Sequence, residues 1–427
     1  MLASGAHGGA SVASLKAQRM RGLIADSVRL NPYQRPAMAT PPTISVGIAT
    51  DVTLAAPVAM VAGNALTPAA TGKMAWYGGV PMPVANAYVV LPVTSVLPSM
   101  TGNLAGYANA FGVTADMNSW NGALETMTDS DTVEFCIYTN NAKTVFFQVD
   151  GEYVDKIGST GTSATTTDYF FRLTFATRKA RRIRICLPTL QAGGPCPVKQ
   201  IRIKSLCDLW KPDQSGVMRL GWAGDSYSEG YPYALAYGNG SWGNIAGEVL
   251  GFRDVRQLAV GATGYTTDNG GLRSKLRDQI PRWITAQAPF DAIVIGHGYN
   301  DYGVAAATLT TEVLYDLQLI RAGAPRVPIV VLGSQGGKRG PDAGTILVEN
   351  TIAAAVAQFA DARCVFRPVS TDATPWLNGT GYGGATNASG NSDIYVGADG
   401  IHPTLAGQEH IGLRAAFAVQ GALEAMG

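Results

Sequence analysis

Leu220-Gly221-Trp222-Ala223-Gly224-Asp225-Ser226-Tyr227-Ser228-Glu229-Gly230, just past the middle of the chain, is the stretch from which the fold is read. Apolar residues from Val217 to Ala223 predict a short buried strand, and Gly-Asp-Ser follows where a parallel strand hands over to a helix. A serine in that turn stands at the carboxyl end of a strand, the edge at which open α/β sheets hold their ligands. The pattern is not a Gly-x-Ser-x-Gly elbow, because Ser228 occupies the place of the second glycine. A bare Gly-Asp-Ser also reads as an ordinary turn with a helix-capping serine. Its meaning depends on whether other loops supply a base and an oxyanion hole.

Downstream of the motif, strands and helices alternate. Strands are predicted at 217–223, 254–260, 290–296, 328–333 and 364–369, and helices at about 242–249, 272–286, 308–322, 345–360 and 404–425. That alternation predicts an α/β unit over 211–427, a three-layer α/β/α arrangement with a parallel sheet and helices on both faces. Upstream, residues 102–210 are β in character. The segments at 132–138, 145–150, 169–175, 181–187 and 200–206 alternate with period two, and Asp150-Gly151 and a Ser/Thr/Gly tract at 159–167 break them, as in an all-β, jelly-roll-like sandwich. The Arg and Lys positions that alternate with Ile read as the solvated face of its sheets, a basic binding surface being the alternative. Residues 41–101 read as extended connector and edge strands. Residues 1–40 read as a leader with a helical arm, either loosely held or docked on a partner.

Composition bounds the function. A chain of 427 residues exceeds one typical core, so two or three domains are expected. Hydrophobic residues make up 46% and charged residues 15%, which excludes a disordered chain. With 32 basic and 31 acidic residues, the balance gives no reason to expect nucleic acid or an anionic membrane as partner. No apolar run approaches ~18 residues, so no membrane span is expected, and no signal peptide is visible. The five cysteines show no Cys-x-x-Cys spacing and there are four histidines, so neither metal nor other cofactor is expected. Cys186 and Cys196 are close enough in sequence to pair across a loop if the protein works outside the cell.

Four loops of the predicted α/β unit carry residues that complement one another chemically: Gly224-Asp225-Ser226, Val260-Gly261-Ala262-Thr263-Gly264-Tyr265-Thr266, Gly296-His297-Gly298-Tyr299-Asn300-Asp301 and Asp399-Gly400-Ile401-His402-Pro403. Ser226 needs a base. His402 can take its proton, and Asp399, three residues earlier, can fix the imidazole tautomer. The N–H groups of Ser226 and Gly264 and the Asn300 amide are suitable oxyanion donors.

On these four blocks the region 215–427 resembles an SGNH hydrolase, the GDSL-type esterase family, whose fold is flavodoxin-like. The resemblance implies Ser226 as nucleophile, Asp399 and His402 as the rest of the triad, and Gly264 and Asn300 as oxyanion donors. The second block departs from the family, which places an Asn before its glycine where this chain offers Gln257, and Gly261 competes with Gly264. A sandwich joined to such a unit is similar to carbohydrate esterases, which implies removal of O-acetyl groups from a polysaccharide. A lipase or thioesterase is the alternative, as is a glycan-binding phage-tail or cell-surface protein, with homo-oligomer or virion assembly. His297, Tyr299, Trp242 and Trp376, with Tyr382, are candidate substrate-lining residues, although aromatic residues are more often core. The Gly/Asn-rich loop at 376–392 is the candidate rim.

Overall fold

The computed structural model describes residues 38–426 except 55–57, 60, 63–64, 67, 80–81, 85–87, 91–121, 140–142, 156–157, 162–166, 189–197, 235–236, 239, 272 and 287. The expected helical arm before residue 38 lies outside the described residues. Two antiparallel sheets precede one parallel sheet. In the first, Thr43–Gly47, Thr167–Thr174, Thr132–Thr139, Val198–Ile203, Tyr88–Val90 and Met82–Val84 lie side by side. The second runs Glu152–Tyr153, Lys143–Val149, Arg181–Leu187, Gly122–Thr128 and Leu209–Trp210, with Met74–Tyr77 also paired to Gly122–Thr128. Alternate residues of both sheets meet in one core: Phe135, Ile137 and Phe171 from the first pack with Leu124, Phe147, Ile183 and Ile185 from the second. This is the all-β sandwich expected from the period-two runs, and residues 43–90 add edge strands to both of its sheets.

The second sheet is not solvated on its outer face, contrary to expectation. Arg184, which alternates with Ile183 and Ile185, donates to the Arg253 carbonyl at 2.9 Å and lies over the Tyr77 ring at 4.5 Å. Arg253 in turn pairs with the fully buried Glu125. Glu248 accepts from Gln148 at 3.0 Å and from Tyr153 at 2.7 Å, and Gly78 N–H donates to Asp254 at 2.7 Å. Burial of Glu125 and Thr126 inside Gly122–Thr128 also explains why that strand has no sequence signature: its polar side chains are buried, one on each face, against partners that are distant in sequence. Cys186 is buried in the same sheet, and Cys196, with which its pairing is considered, lies outside the described residues.

The parallel sheet has the order Asp254–Gln257, Arg219–Gly224, Ala292–Gly296, Ile329–Leu332, Cys364–Arg367. Along Ala292–Gly296, Ala292 and Val294 face a core closed by Trp242–Val249 and Leu405–Ala425, while Ile293 and Ile295 face one closed by Leu276–Ala286, Ala306–Gly323 and Ala343–Phe359. The result is the expected three-layer α/β/α arrangement. The order reverses between the strand ending at Gly224 and that ending at Gly296, the place at which open α/β sheets hold their ligands. Among the described residues no helix is long and apolar enough to cross a membrane.

A buried carboxylate ends the last strand. Glu349 accepts from Val369 N–H at 3.0 Å, Ser370 N–H at 2.8 Å and Thr371 N–H at 2.8 Å, and from the Thr371 hydroxyl. Glu349→Ala leaves the buried Val369 and Ser370 N–H groups without their partner. We expect a loss of about 3 kcal/mol or more, read as a lower urea midpoint at unchanged m-value.

Candidate active site

Ser226 is held by its strand and by a short helix. A Cβ on Gly224 would stand 2.9 Å from the Gly296 carbonyl, so only glycine lets the turn lie this close to the neighbouring strand. Asp225 then caps Ser226–Glu229, its Oδ1 accepting from Tyr227 N–H at 3.0 Å, and Gly230 closes the turn at φ 83°. Burial, with the carboxylates of Asp301 and Glu229 nearby, pushes Asp225 up to about 8, so it holds a proton at neutral pH. It serves the cap, not the acid-base chemistry.

His402 and Asp399 lie in the turn that leads into Leu405–Ala425, whose first turn Thr404 caps through Gly407 N–H at 3.0 Å. Asp399 Oδ1 accepts from Ile401 N–H at 2.9 Å and His402 N–H at 3.0 Å. Its Oδ2 lies 2.7 Å from His402 Nδ1, and His402 Nε2 lies 2.8 Å from Ser226 Oγ. A carboxylate only accepts, so Nδ1 carries the proton and Nε2 is left to accept from the serine hydroxyl. Burial pushes the His402 pKa below its ordinary value against the upward pull of Asp399. Burial also acts to raise Asp399, but the N–H groups of Ile401 and His402 and the His402 ring outweigh it and hold the carboxyl below the usual range.

The two middle loops are tied together. Asp301 accepts from Tyr265 N–H at 3.0 Å, Thr266 N–H at 2.9 Å and the Thr266 hydroxyl at 2.7 Å. Asn300 Nδ2 donates to the Thr263 carbonyl at 2.9 Å, which commits one of its two amide hydrogens. Gly264 N–H donates to the Thr267 carbonyl at 2.9 Å, so in this structure it is not turned toward Ser226. What Gly264 does provide is room, since a Cβ there would stand 2.5 Å from Asp301 Oδ2. Gly261 N–H is likewise engaged, by Glu229. Gln257 is structural and donates to Ser241 Oγ at 2.9 Å.

Three candidate lining residues belong elsewhere. Trp242 is 1% exposed and packs edge-on to Trp222 at 4.8 Å, as its position on a helix face against the sheet requires. Trp376 is equally buried, its Nε1 donating to Asp372 at 3.1 Å. His297 is buried beside Tyr265, and burial lowers its pKa to about 3, so it is neutral and out of reach of a substrate. Tyr299 is half-buried, with its ring 5.2 Å from that of Tyr227, which in turn lies 5.8 Å from His402. Tyr382 is also half-buried.

Other residues at the site had no sequence signature. Tyr231 is exposed and meets the His402 ring edge-on at 5.0 Å. The turn Gly337–Arg339 packs against the loop of Asp399 and His402, Lys338 N–H donating to Gly400 O at 3.0 Å. Its position after the strand Ile329–Leu332, on the same sheet edge as the other loops, was the available signal. A separate cleft of about 210 Å³ between the sandwich and Trp242–Val249 is lined by Arg182, Arg184, Glu248 and Arg253, and by none of Ser226, Asp399 and His402.

Residues 223–410 match the model of the GDSL-like lipase/acylhydrolase family. No curated protein matches the chain. Among solved structures, the salicylyl-acyltransferase SsfX3 from a tetracycline biosynthetic pathway aligns with a TM-score of 0.57 at 16% identity, over 82% of this chain and 95% of that one. A family two carbohydrate esterase from Cellvibrio japonicus aligns with a TM-score of 0.56 at 12% identity, over 90% of this chain and 100% of that one. One from Clostridium thermocellum, in complex with cellohexaose, aligns at 0.52 and 15%, over 72% and 92%. At these identities the likeness is one of fold.

Proposed function

We propose, for a chain whose residues 223–410 form a GDSL-like lipase/acylhydrolase domain, that Ser226 is the nucleophile of a serine esterase that removes O-acetyl groups from a carbohydrate. The domain is that of a carboxylic ester hydrolase. The observation that carries the finer reading is the hydrogen-bonded chain from Ser226 Oγ through the His402 ring to Asp399, at 2.8 and 2.7 Å. Ser226 Oγ attacks the ester carbonyl as its proton passes to Nε2. The tetrahedral intermediate collapses when His402 returns that proton to the departing alcohol, and water repeats the cycle on the acyl-enzyme to release the acid. Ser226 N–H, at the first position of its helix, and the second amide hydrogen of Asn300 are the proposed oxyanion donors. Gly264 N–H joins them when substrate displaces the Thr267 carbonyl.

Two observations favour carbohydrate over lipid. Family two carbohydrate esterases share the layout of sandwich plus α/β unit, and the surroundings of Ser226 include tyrosines and two cations, groups suited to a polar substrate. The division between a sandwich at 102–210 and a hydrolase unit at 211–427 belongs to the same proposal. The test is acetate release from acetylated polysaccharides, and hydrolysis of p-nitrophenyl esters of rising chain length, by wild type and Ser226→Ala. Preference for long acyl chains would replace the reading with a lipase. No Ser226-dependent hydrolysis would leave a glycan-binding role for the fold.

The pH dependence follows from the buried base. His402 must be neutral to accept the proton, and burial lowers its pKa from the ordinary 6.5. Activity therefore persists as pH falls through 6.5 and declines only as His402 becomes charged at lower pH. A profile of kcat/KM for p-nitrophenyl acetate should show its acid limb centred below 6.5. A midpoint above that value would mean that Asp399 outweighs burial.

A further inference from the structure

Arg339, on the turn Gly337–Arg339, has no ion-pair partner among the described residues. Its guanidinium lies over the Tyr302 ring at 4.0 Å and the Tyr299 ring at 4.3 Å, and its buried Nε has no hydrogen-bond partner. The nearby acid Asp342 accepts from Thr345 N–H at 2.8 Å and Tyr302 Oη at 3.1 Å, and it feels the Arg339 charge without forming an ion pair with it. The buried Arg181, stacked on the Phe175 ring at 4.1 Å, satisfies its N–H groups on the Lys179 and Thr177 carbonyls at 3.0 and 2.7 Å. Arg172, Arg256, Arg321 and Arg414 each meet an Asp or Glu at 2.5–2.9 Å. Lys338, the neighbour on the same turn, is exposed, with its Nζ 5.2 Å over the Tyr382 ring, and it too has no ion pair among the described residues. This turn packs on the Asp399–His402 loop through Lys338 N–H and Gly400 O, and Gly337 lies against Tyr227 Oη.

A guanidinium whose face is stacked on aromatic rings keeps its N–H edges for hydrogen bonding, and their fork matches a carboxylate. Holding such a cation half-desolvated without a directly paired carboxylate costs free energy that a ligand carboxylate would offset. We propose that Arg339 binds a carboxylate of the substrate, with Lys338 adding to the positive potential, so that the acylated carbohydrate is one built from sugar acids. This deepens the esterase reading and rests on it. The rings of Tyr299 and Tyr302 position the guanidinium, and the carboxylated sugar would lie beside His402.

The experiment measures acetate release from O-acetylated polygalacturonate and from the same polymer after carboxyl reduction, with p-nitrophenyl acetate as a reporter of the esterase itself. Wild type should prefer the acidic polymer by ~10-fold or more in kcat/KM, and added salt should shrink that preference. Arg339→Gln should bring the ratio near one, mainly through KM, and Arg339→Lys should keep part of it. Arg178→Gln, a distant exposed charge on the sandwich, should leave the ratio as in wild type. Equal kcat/KM on the two polymers, or a ratio unchanged in both Arg339 variants, overturns the proposal. Hydrolysis of p-nitrophenyl acetate that depends on Ser226, without acetate release from either polymer, overturns it while the esterase reading stands. Failure on all three substrates brings down both.

Discussion

Ser226→Ala should lower kcat for acetyl-ester hydrolysis by about 10⁶-fold, His402→Ala should lower it by as much, and the double variant should be no worse than either single one. The reason is that the two side chains act as one unit. A serine hydroxyl is a poor nucleophile at neutral pH, and it becomes a good one only while Nε2 takes its proton, which the 2.8 Å contact allows. Without Oγ, the base has nothing to activate except water. Without the ring, the proton has nowhere to go. What survives in either variant is the oxyanion stabilisation by Ser226 N–H and Asn300, together with substrate positioning, worth roughly 10³–10⁴ over the reaction in water. The measurement is kcat on p-nitrophenyl acetate for the two single variants and the double. Losses that multiply would mean that Ser226 and His402 contribute separately, and a Ser226→Ala enzyme within tenfold of wild type would dismiss Ser226 as nucleophile.

The α/β half was legible because its signals are local. A run such as Ala292–Gly296 is apolar on both faces, which only a parallel strand between two helical layers requires. The polar motifs that interrupt this pattern all fall at carboxyl ends of strands or before the last helix, so position alone marks the candidate residues, three of which the structure places in one hydrogen-bonded chain. The surroundings of the site were less legible, because side-chain direction is a tertiary matter. Trp242 and Trp376 looked suited to a sugar cleft, yet the sheet and last helix enclose them. Gly264 was chosen as a donor of its N–H, whereas its contact with Asp301 shows an equally strict demand for a missing side chain. Arg339 escaped notice because an arginine in a Gly-rich turn has no signature until its partners, or their absence, are seen. The solvated-face reading of Arg184 failed for a related reason, whereas Arg182 stays one third exposed. Period-two alternation separates the two faces of a strand but does not say what covers the polar one, and here Arg253, Glu125 and Tyr77 do.

Asp399→Asn should cost on the order of 10⁴-fold in kcat while leaving Ser226 and His402 in place. The aspartate does two things for the imidazole. Its Oδ2, 2.7 Å from Nδ1, holds the proton on that nitrogen, and its Oδ1 accepts the N–H groups of Ile401 and His402, which fixes the turn that aims the ring. An asparagine with Oδ1 kept on those backbone groups presents an NH₂ to Nδ1. The proton then moves to Nε2, and the atom facing Ser226 Oγ becomes a donor that cannot take the serine's proton. Asp399→Ala removes the tautomer control and the turn's acceptor together, so it should be at least as slow as Asp399→Asn. The two variants also make a prediction that a purely steric lesion would not. Asp399 raises the His402 pKa, against burial that lowers it. Loss of the carboxylate leaves burial unopposed, and the acid limb of the residual activity should move to lower pH in both variants. An acid limb that stays where it is in wild type, with the full loss of rate, would mean that Asp399 acts on the shape of the turn alone and not on the charge of the base.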